Sequence, residues 1–413
     1  MEEDNFTGAN YARMTTLQET LDSLTNFRLL SALSIVILLS LFNNSDQMPN
    51  TATTFAPGRV EILGNHTDYN LGFVLSAAIH LGVTIESEQL SEAILEITSN
   101  TNGRTVRAEL SELCRFSGDT WANYPVGVIK VLSDAGFKLG GMKLDISSDL
   151  PLGAGLSSSA ALEVATALAG KALYGLHIER MQLARLCQRA ENEFVGVRSG
   201  LLDQASSIFG QAHRLILLDF REITVDLVSL PANVSLLLLN SGVSHELTGG
   251  EYNERQAQCS EAAAYLGVPT LRDATTALVR NSDLDDVIRR RALHITEEND
   301  RVLQGRDALR AGDIRRFGKL MFASHESSRT NFENSTSHLD ALVELAKRTP
   351  GVYGSRLTGG GFGGSTVSLI DTWRSSEIIQ SISSEYNRLT GATCFPILTE
   401  PSDGARLLRS SSA

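Results

Sequence analysis

Three short segments concentrate the residue types that hold phosphates and polyhydroxylated ligands. In Pro151–Ala161 (PLGAGLSSSAA), Gly153 and Gly155 flank Ala154, and Leu156 leads into Ser157, Ser158 and Ser159. The glycines permit tight turns and close approach of a ligand. The serines stand at the start of an Ala- and Leu-rich stretch, Ala160–Tyr174, that reads as a helix. A helix start offers free N–H groups and partial positive charge, so hydroxyls and amides together suit a phosphate. A capped helix after a loop is the other reading. Three consecutive serines exceed what capping needs, which favours phosphate binding.

The second segment, Thr358–Ser365 (TGGGFGGS), carries five glycines. Gly359, Gly361 and Gly364 fit G-x-G-x-x-G, but Thr366–Ile370 beyond them reads as a strand. A dinucleotide fingerprint must open a helix, so that match is rejected. The loop is expected to pack against the site; direct ligand contact stays open. The third segment, Ala56–Asn70 (APGRVEILGNHTDYN), crowds Arg59, His66 and Asp68 around Gly64. Such a set suits a small polyol, because Asp accepts hydroxyl protons and His can donate or accept. A hydrogen-bonded turn would look the same.

The elements that must position these segments mix strands and helices without strict βαβ alternation. Strands are expected at Val60–Leu63, Val74–Ala78, Ile94–Thr98, Met142–Ile146 and Val234–Leu239. A helix is expected at Ile178–Val195, and helical spacing then dominates at Glu251–Leu266, Glu297–Ala311, Ile314–Asn331 and Leu339–Lys347. The order Val352–Leu357 strand, glycine loop, Thr366–Ile370 strand, Ser375–Thr390 helix and Thr393–Ile397 strand closes the pattern. This predicts an α+β fold. Single cores stop growing near about 250–300 residues, so 413 residues predict more than one core. The expected division is residues 1–50 as an extension with an apolar helix, 51–225 and 226–403 as domains, and 404–413 as a flexible tail.

The 36 basic and 48 acidic side chains give a net charge of −12, which disfavours nucleic acid as a partner. Cys114, Cys187, Cys259 and Cys394 are widely spaced, which fits reduced thiols in a cytoplasm. The apolar run Leu29–Phe42 is short of the roughly 20 residues a spanning helix needs, and the chain starts acidic, so no membrane association is expected. There is no G-x-x-x-x-G-K-[ST], no protein-kinase signature and no second His at metal-ligand spacing from His245 or His325.

The three segments, in this order and spacing, resemble the GHMP small-molecule kinases, and among them the galactokinases. The resemblance extends to Trp121–Tyr124, Glu191–Gln204 and Asn240–Cys259, and runs from about Phe55 to about Pro396. It implies an N-terminal ribosomal-protein-S5-like domain and a C-terminal α/β sandwich with the active site between them. It implies transfer of the ATP γ-phosphate to the anomeric hydroxyl of α-D-galactose, giving galactose 1-phosphate. Asp203 matches the catalytic aspartate and Arg59 its arginine partner. Ser159 and Glu191 match the Mg²⁺ ligands. Gly153, Ala154, Gly155, Leu156, Ser157, Ser158 and Ser159, with Trp121, match the ATP site. His66, Asp68, Gly200 and Tyr252 match sugar contacts, and Asn65 stands at a further sugar-contact position.

The chain departs from the family at several positions. It reads Gly64-Asn65-His66 where the family has Gly-Glu-His, and that glutamate reads the sugar's C6 hydroxyl there. Glu61 replaces an Asn, Ser76 a Pro and Ser199 a Cys. An amide at 65 predicts tolerance of a carboxylate at C6, so a kinase for galacturonate or another C6-altered sugar is the alternative. A sugar-and-ATP sensor is a further alternative. The intact Ser157–Ala161 stretch, with Asp203, Arg59 and Glu191 all present, argues against a sensor.

Overall fold

The computed structural model describes residues 49–412 apart from 152, 198 and 244–249. The extension and apolar helix expected over residues 1–50 therefore lie almost wholly outside the described residues. What is described is built on two sheets.

The first sheet contains β1 (Thr51–Leu63), β2 (Phe73–Leu90), β3 (Ile94–Ser99), β4 (Arg104–Glu109), β5 (Gly141–Ser148), β6 (Arg214–Asp219), β7 (Thr224–Ser229) and, from the far end of the chain, β12 (Arg406–Ser411). Its main path runs β12-β1-β2-β5-β3-β4, with β6 and β7 extending from β2. Residues Arg406–Ser411, expected within a flexible tail, are thus a strand paired antiparallel to β1 from Thr51↔Ser411 to Phe55↔Arg406. The alternation of Arg and Ser with Leu407 and Leu408 is too weak to reveal this, because the strand is exposed on both faces and held by its backbone.

The hairpin β1–β2 is far longer than its two expected short strands. Pro57-Gly58 reads as a strand breaker, but the strand absorbs it as a register shift between Pro57 and Arg59. At that bulge the Arg59 N–H bonds the Leu156 carbonyl at 3.1 Å. A Cβ on Gly58 would lie 2.6 Å from the same oxygen, so only glycine lets β1 approach the serine loop.

The second sheet has the order β11-β8-β10-β9: β8 (Val234–Asn240), β9 (Val352–Thr358), β10 (Ser365–Asp371) and β11 (Phe395–Thr399). The continuous run Val-Ser-Leu-Leu-Leu-Leu of β8 is explained by burial on both faces. Leu236 and Leu238 join the core of the first sheet, whereas Leu237 and Leu239 join a separate core with Leu342, Ile378 and Ile382.

Helices cover the sheets. α1 (Asn123–Asp134), α2 (Ser158–Leu173), α3 (Arg180–Arg189) and α4 (Leu202–Phe209) pack into the first core, and α2 crosses β1, where the Thr54 hydroxyl bonds the Ala165 carbonyl at 2.9 Å. The small residues of α2 allow this approach. A third core unites α5 (Gly250–Tyr265), α6 (Thr276–Arg280) and α7 (Asp286–Arg310). α8 (Ile314–Ser327), α9 (Ser337–Arg348) and α10 (Ser375–Thr390) complete the fold. The helix expected over Ile178–Val195 ends as an α-helix at Arg189 and widens into a π-type segment, Ala190–Val195. α8 widens likewise at Ser328–Phe332. Such segments often sit at functional sites: the first carries Glu191, which lines a cleft described next, and the second carries Phe332, which packs on the His66 ring.

Candidate active site

Two clefts meet at one ion pair. The first, about 480 Å³, is lined by Gly153–Ser159, Thr358–Ser365, Arg59 and Asp203, among others. The second, about 360 Å³, is lined by Glu61, Asn65, His66, Asp68, Glu191, Gly200 and Tyr252, and again by Arg59 and Asp203. Gly359 and Gly360 also border both.

Arg59 grips Asp203 Oδ1 through Nε and Nη2, each at 2.7 Å, and donates from Nη1 to the Gly155 carbonyl at 2.9 Å. Ser157 Oγ donates to Asp203 Oδ2 at 2.5 Å. Both carboxylate oxygens are therefore fixed by groups from β1 and from the serine loop. That loop is held in left-handed backbone: Gly153 and Gly155 have φ of 70° and 73°, and Ser157 has φ of 58°. No atom lies within 4 Å of a Cβ built on either glycine, so backbone conformation rather than crowding demands them. Left-handed Ser157 is a strained position of the kind that clusters at functional sites. The loop opens α2, so the free N–H groups of Ser158 and Ser159 face an anion-favouring field.

The third segment forms the second cleft. Gly64 has φ of 105°, and a Cβ there would lie 2.5 Å from the Phe73 carbonyl. His66 Nε2 donates to the Gly360 carbonyl at 3.0 Å, so Nδ1 is the acceptor for the Tyr69 hydroxyl, also at 3.0 Å. Burial lowers the His66 pKa to about 4, which keeps the ring neutral in this tautomer. Its ring packs against Tyr252 and Phe332 at centroid distances of 5.0 and 4.6 Å. Gly200 faces Asp68, and any side chain at 200 would collide with Asp68 Oδ2 at 2.2 Å. Burial, and next the charge of Glu61, push Asp68 up to about 7. Asn65 lines the cleft, but its amide is engaged by the protein: Nδ2 bonds Glu61 Oε1 at 3.0 Å and the Gly359 carbonyl at 2.8 Å, and Oδ1 accepts from Asn334 Nδ2 at 2.8 Å.

Glu191 is buried in the π-type segment. Its Oε2 accepts from Gln204 Nε2 at 2.9 Å and from Ser199 Oγ. Burial raises its pKa, and among the described residues no cationic side chain pairs with it. Glu163 of α2, wholly buried beside it, accepts from the same Gln204 Nε2 at 2.9 Å. Burial and the neighbouring Glu191 charge push Glu163 up to about 10, so it is protonated at neutral pH.

Of the residues expected from sequence, only Trp121 lines neither cleft. Its indole N–H bonds Asp119 Oδ1 at 3.2 Å, and its ring packs on the first core. The glycine loop, whose contact was left open, borders both clefts and ties them together through Gly359 and Gly360.

Several participants escape sequence reasoning. Glu298 of α7 accepts from the Gly64 N–H at 2.8 Å, so it holds the polar turn from beneath. His294 bonds the Asn65 carbonyl at 3.1 Å, and Asn334 reaches Asn65 and the Gly360 carbonyl. Each is an isolated polar residue on an otherwise ordinary helix or loop, more than 200 residues from the turn it supports. The partial signal was polarity at core positions of a helical repeat, as at His294 and Glu298.

Residues 123–211 match the GHMP kinases N-terminal domain, 306–388 the GHMP kinases C-terminal domain and 40–87 the galactokinase galactose-binding signature. A galactokinase of Roseiflexus sp. (strain RS-1) is 40% identical over 363 residues, covering 84% of this chain and 91% of its own. One from Thermotoga neapolitana is 39% identical over 332 residues, covering 80% and 93%. The crystal structure of Lactococcus lactis galactokinase complexed with galactose superposes with a TM-score of 0.83 at 30% identity, covering 90% of this chain and 99% of that one.

Proposed function

The chain belongs to the galactokinases of the GHMP kinase family, and on that footing we propose that the Arg59–Asp203 pair is the point at which phosphate passes from ATP in the first cleft to galactose in the second. The observation that carries this reading is that one ion pair lines both clefts. The product is galactose 1-phosphate, with the anomeric hydroxyl directed at Asp203.

Phosphoryl transfer asks a protein mainly for position and charge. The serine loop and the start of α2 bind the ATP phosphates through amides and hydroxyls. Asp203 accepts the hydroxyl proton as the oxygen attacks. Arg59 holds that carboxylate in place and brings positive charge to the seam, where its planar fork can also meet phosphoryl oxygen. Asn65, His66, Asp68, Gly200 and Tyr252 form the sugar wall.

The donor set suits Mg²⁺, with Ser159 and Glu191 as the residues that would hold it: Glu191 is a buried carboxylate without a cationic partner among the described residues, and oxygen donors match a hard cation. When bound, that ion neutralises charge on the phosphates. Ser199 and Gln204 keep Glu191 oriented. We also assign the protein to the cytoplasm, where ATP is abundant and separated thiols stay reduced. No described helix is long and apolar enough to cross a membrane.

The direct test is ADP release with Mg-ATP over galactose, galacturonate, N-acetylgalactosamine, arabinose and glucose. Galactose is expected to give the highest kcat/KM. Turnover of another sugar in its place overturns the substrate assignment.

Asp68 gives a pH signature. A carboxylate that accepts sugar hydroxyls must be ionised, and in the free protein it is half-protonated near pH 7. Binding favours the ionised form, so affinity is lost as pH falls. Below about pH 7, kcat/KM for galactose should drop by up to about tenfold per unit, and above it should level off. The inflection should vanish in Asp68→Asn. An unchanged profile in that variant removes Asp68 from this role.

A further inference from the structure

The sugar wall contains a second carboxylate, close to Asp68. Glu61 is 5% exposed and lines the second cleft from β1. Its main chain is locked by Thr358, whose hydroxyl accepts from the Glu61 N–H at 3.1 Å and donates to the Glu61 carbonyl at 3.0 Å. Its Oε1 is clamped by Arg356 Nη1 at 2.9 Å and by Asn65 Nδ2 at 3.0 Å. Its Oε2 accepts no hydrogen bond among the described residues, yet it is not among the sealed, unpartnered atoms. One oxygen is fixed by the protein and the other is left to the cleft.

From this geometry we infer that Glu61 is a specificity-determining residue that accepts a hydrogen bond from a sugar hydroxyl and excludes sugar acids. The inference rests on the sugar-kinase reading above. A carboxylate oxygen only accepts, so its partner must donate. The hydroxyl it reads is not the reacting one, which must lie against Asp203. Asn65 is the alternative reader, but its Nδ2 and Oδ1 are both committed to protein partners, so it acts as a positioning residue for Glu61. A sugar carboxylate entering here would meet Glu61 and Asp68 with no free donor from Asn65. Rejection of such an analogue by about 10³-fold or more is expected where polar groups would be left unpaired.

The test pairs Glu61→Gln with galactose, each of its 2-, 3-, 4- and 6-deoxy analogues, and galacturonate, measuring kcat/KM for the wild-type protein and the variant. Gln keeps an acceptor for Arg356 and Asn65 but turns a donor toward the cleft. It should lower galactose kcat/KM by about 10- to 100-fold, the range for a charged hydrogen bond. At one deoxy analogue the wild-type-to-variant ratio should collapse toward one, because that analogue lacks the partner. The relative rate with galacturonate should rise. An equal loss across every analogue makes Glu61 merely structural and overturns the inference. Absence of galactose turnover in the wild-type protein overturns the kinase reading itself, and this inference with it.

Arg356 is wholly buried, and its Nε and Nη2 have no hydrogen-bond partner among the described residues, so Glu61→Gln risks the fold. The exchange E61N/N65E keeps one carboxylate and one amide at these two neighbouring positions and leaves the charge of the pair unchanged. It should recover galactose turnover to within about tenfold of the wild-type protein, whereas N65E alone sets two carboxylates together and should not. A double variant no better than either single change overturns the pairing.

Discussion

Replacing Asp203 with Asn is expected to lower kcat about 10³-fold while galactose binding, measured by calorimetry, changes little. The magnitude is that of removing a positioned general base. The substitution is conservative in space. Asn Oδ1 can still accept from Arg59 Nε and Nη2, and Nδ2 can donate to Ser157 Oγ where Oδ2 now accepts from it. What disappears is the group that takes the hydroxyl proton. Arg59→Ala is a harsher change. It also removes the bond to the Gly155 carbonyl that ties β1 to the serine loop, so both KM for ATP and kcat should suffer. An Asp203→Asn enzyme retaining a tenth or more of its turnover, with intact thermal stability, sinks the assignment of Asp203 as base. A parallel collapse of sugar affinity would instead make it a binding residue.

The local parts of this site were legible in the sequence because they are contiguous. Glycines beside serines at a helix start predict a loop suited to phosphate, and Arg59, His66 and Asp68 predict a polar turn. The parts that were not legible come from distant chain. Arg356 on β9 and Asn334 ahead of α9 make sense only once β1 lies beside the glycine loop. The same holds for the reading of Asn65. Taken alone, position 65 leaves the sugar undecided and even predicts tolerance of a carboxylate. With Glu61 hydrogen-bonded to it, positions 61 and 65 act as one carboxylate–amide pair, and the charge read as missing at 65 stands four residues earlier. Periodicity places Glu61 on a strand and Asn65 in the turn beyond it, but cannot say that the turn brings their side chains together.

The strands show a similar limit. The strand expected at Val60–Leu63 begins beyond Pro57-Gly58, and proline and glycine do disfavour strand interiors. Tertiary structure overrides that preference because the resulting bulge aims Arg59 into the site. Local irregularity and function coincide there, as they do at the π-type segments that carry Glu191 and Phe332.

The second large effect belongs to a residue that touches neither cleft. Glu298→Ala is expected to cost about 3–5 kcal/mol of stability, the range for breaking a buried ion pair. Glu298 Oε1 accepts from the Gly64 N–H at 2.8 Å and from Ser324 Oγ at 2.7 Å, and Oε2 accepts from Arg301 Nε at 2.6 Å. Burial by itself would raise its pKa; Arg301, Arg356 and the Gly64 N–H outweigh that and hold the carboxyl well below the usual range. Its stabilisation is therefore complete above the unfolded carboxyl pKa of about 4.5 and is lost only as acid drives the pH down through the lower folded value. Alanine imposes the same loss at neutral pH: the Gly64 amide loses its acceptor, and Arg301 keeps only its longer contacts to Glu297 and the His294 carbonyl, each at 3.5 Å. Because Gly64 begins the turn that carries Asn65, His66 and Asp68, the damage should reach the sugar: KM for galactose should rise more than KM for ATP in whatever folded fraction remains. Glu298→Gln, which keeps an acceptor for Gly64 and Ser324 but not the charge, should fall between the two in urea denaturation. A Glu298→Ala protein as stable as the wild type would show that the turn holds itself. A stability loss with equal changes in both KM values would show that α7 supports the fold without positioning the sugar.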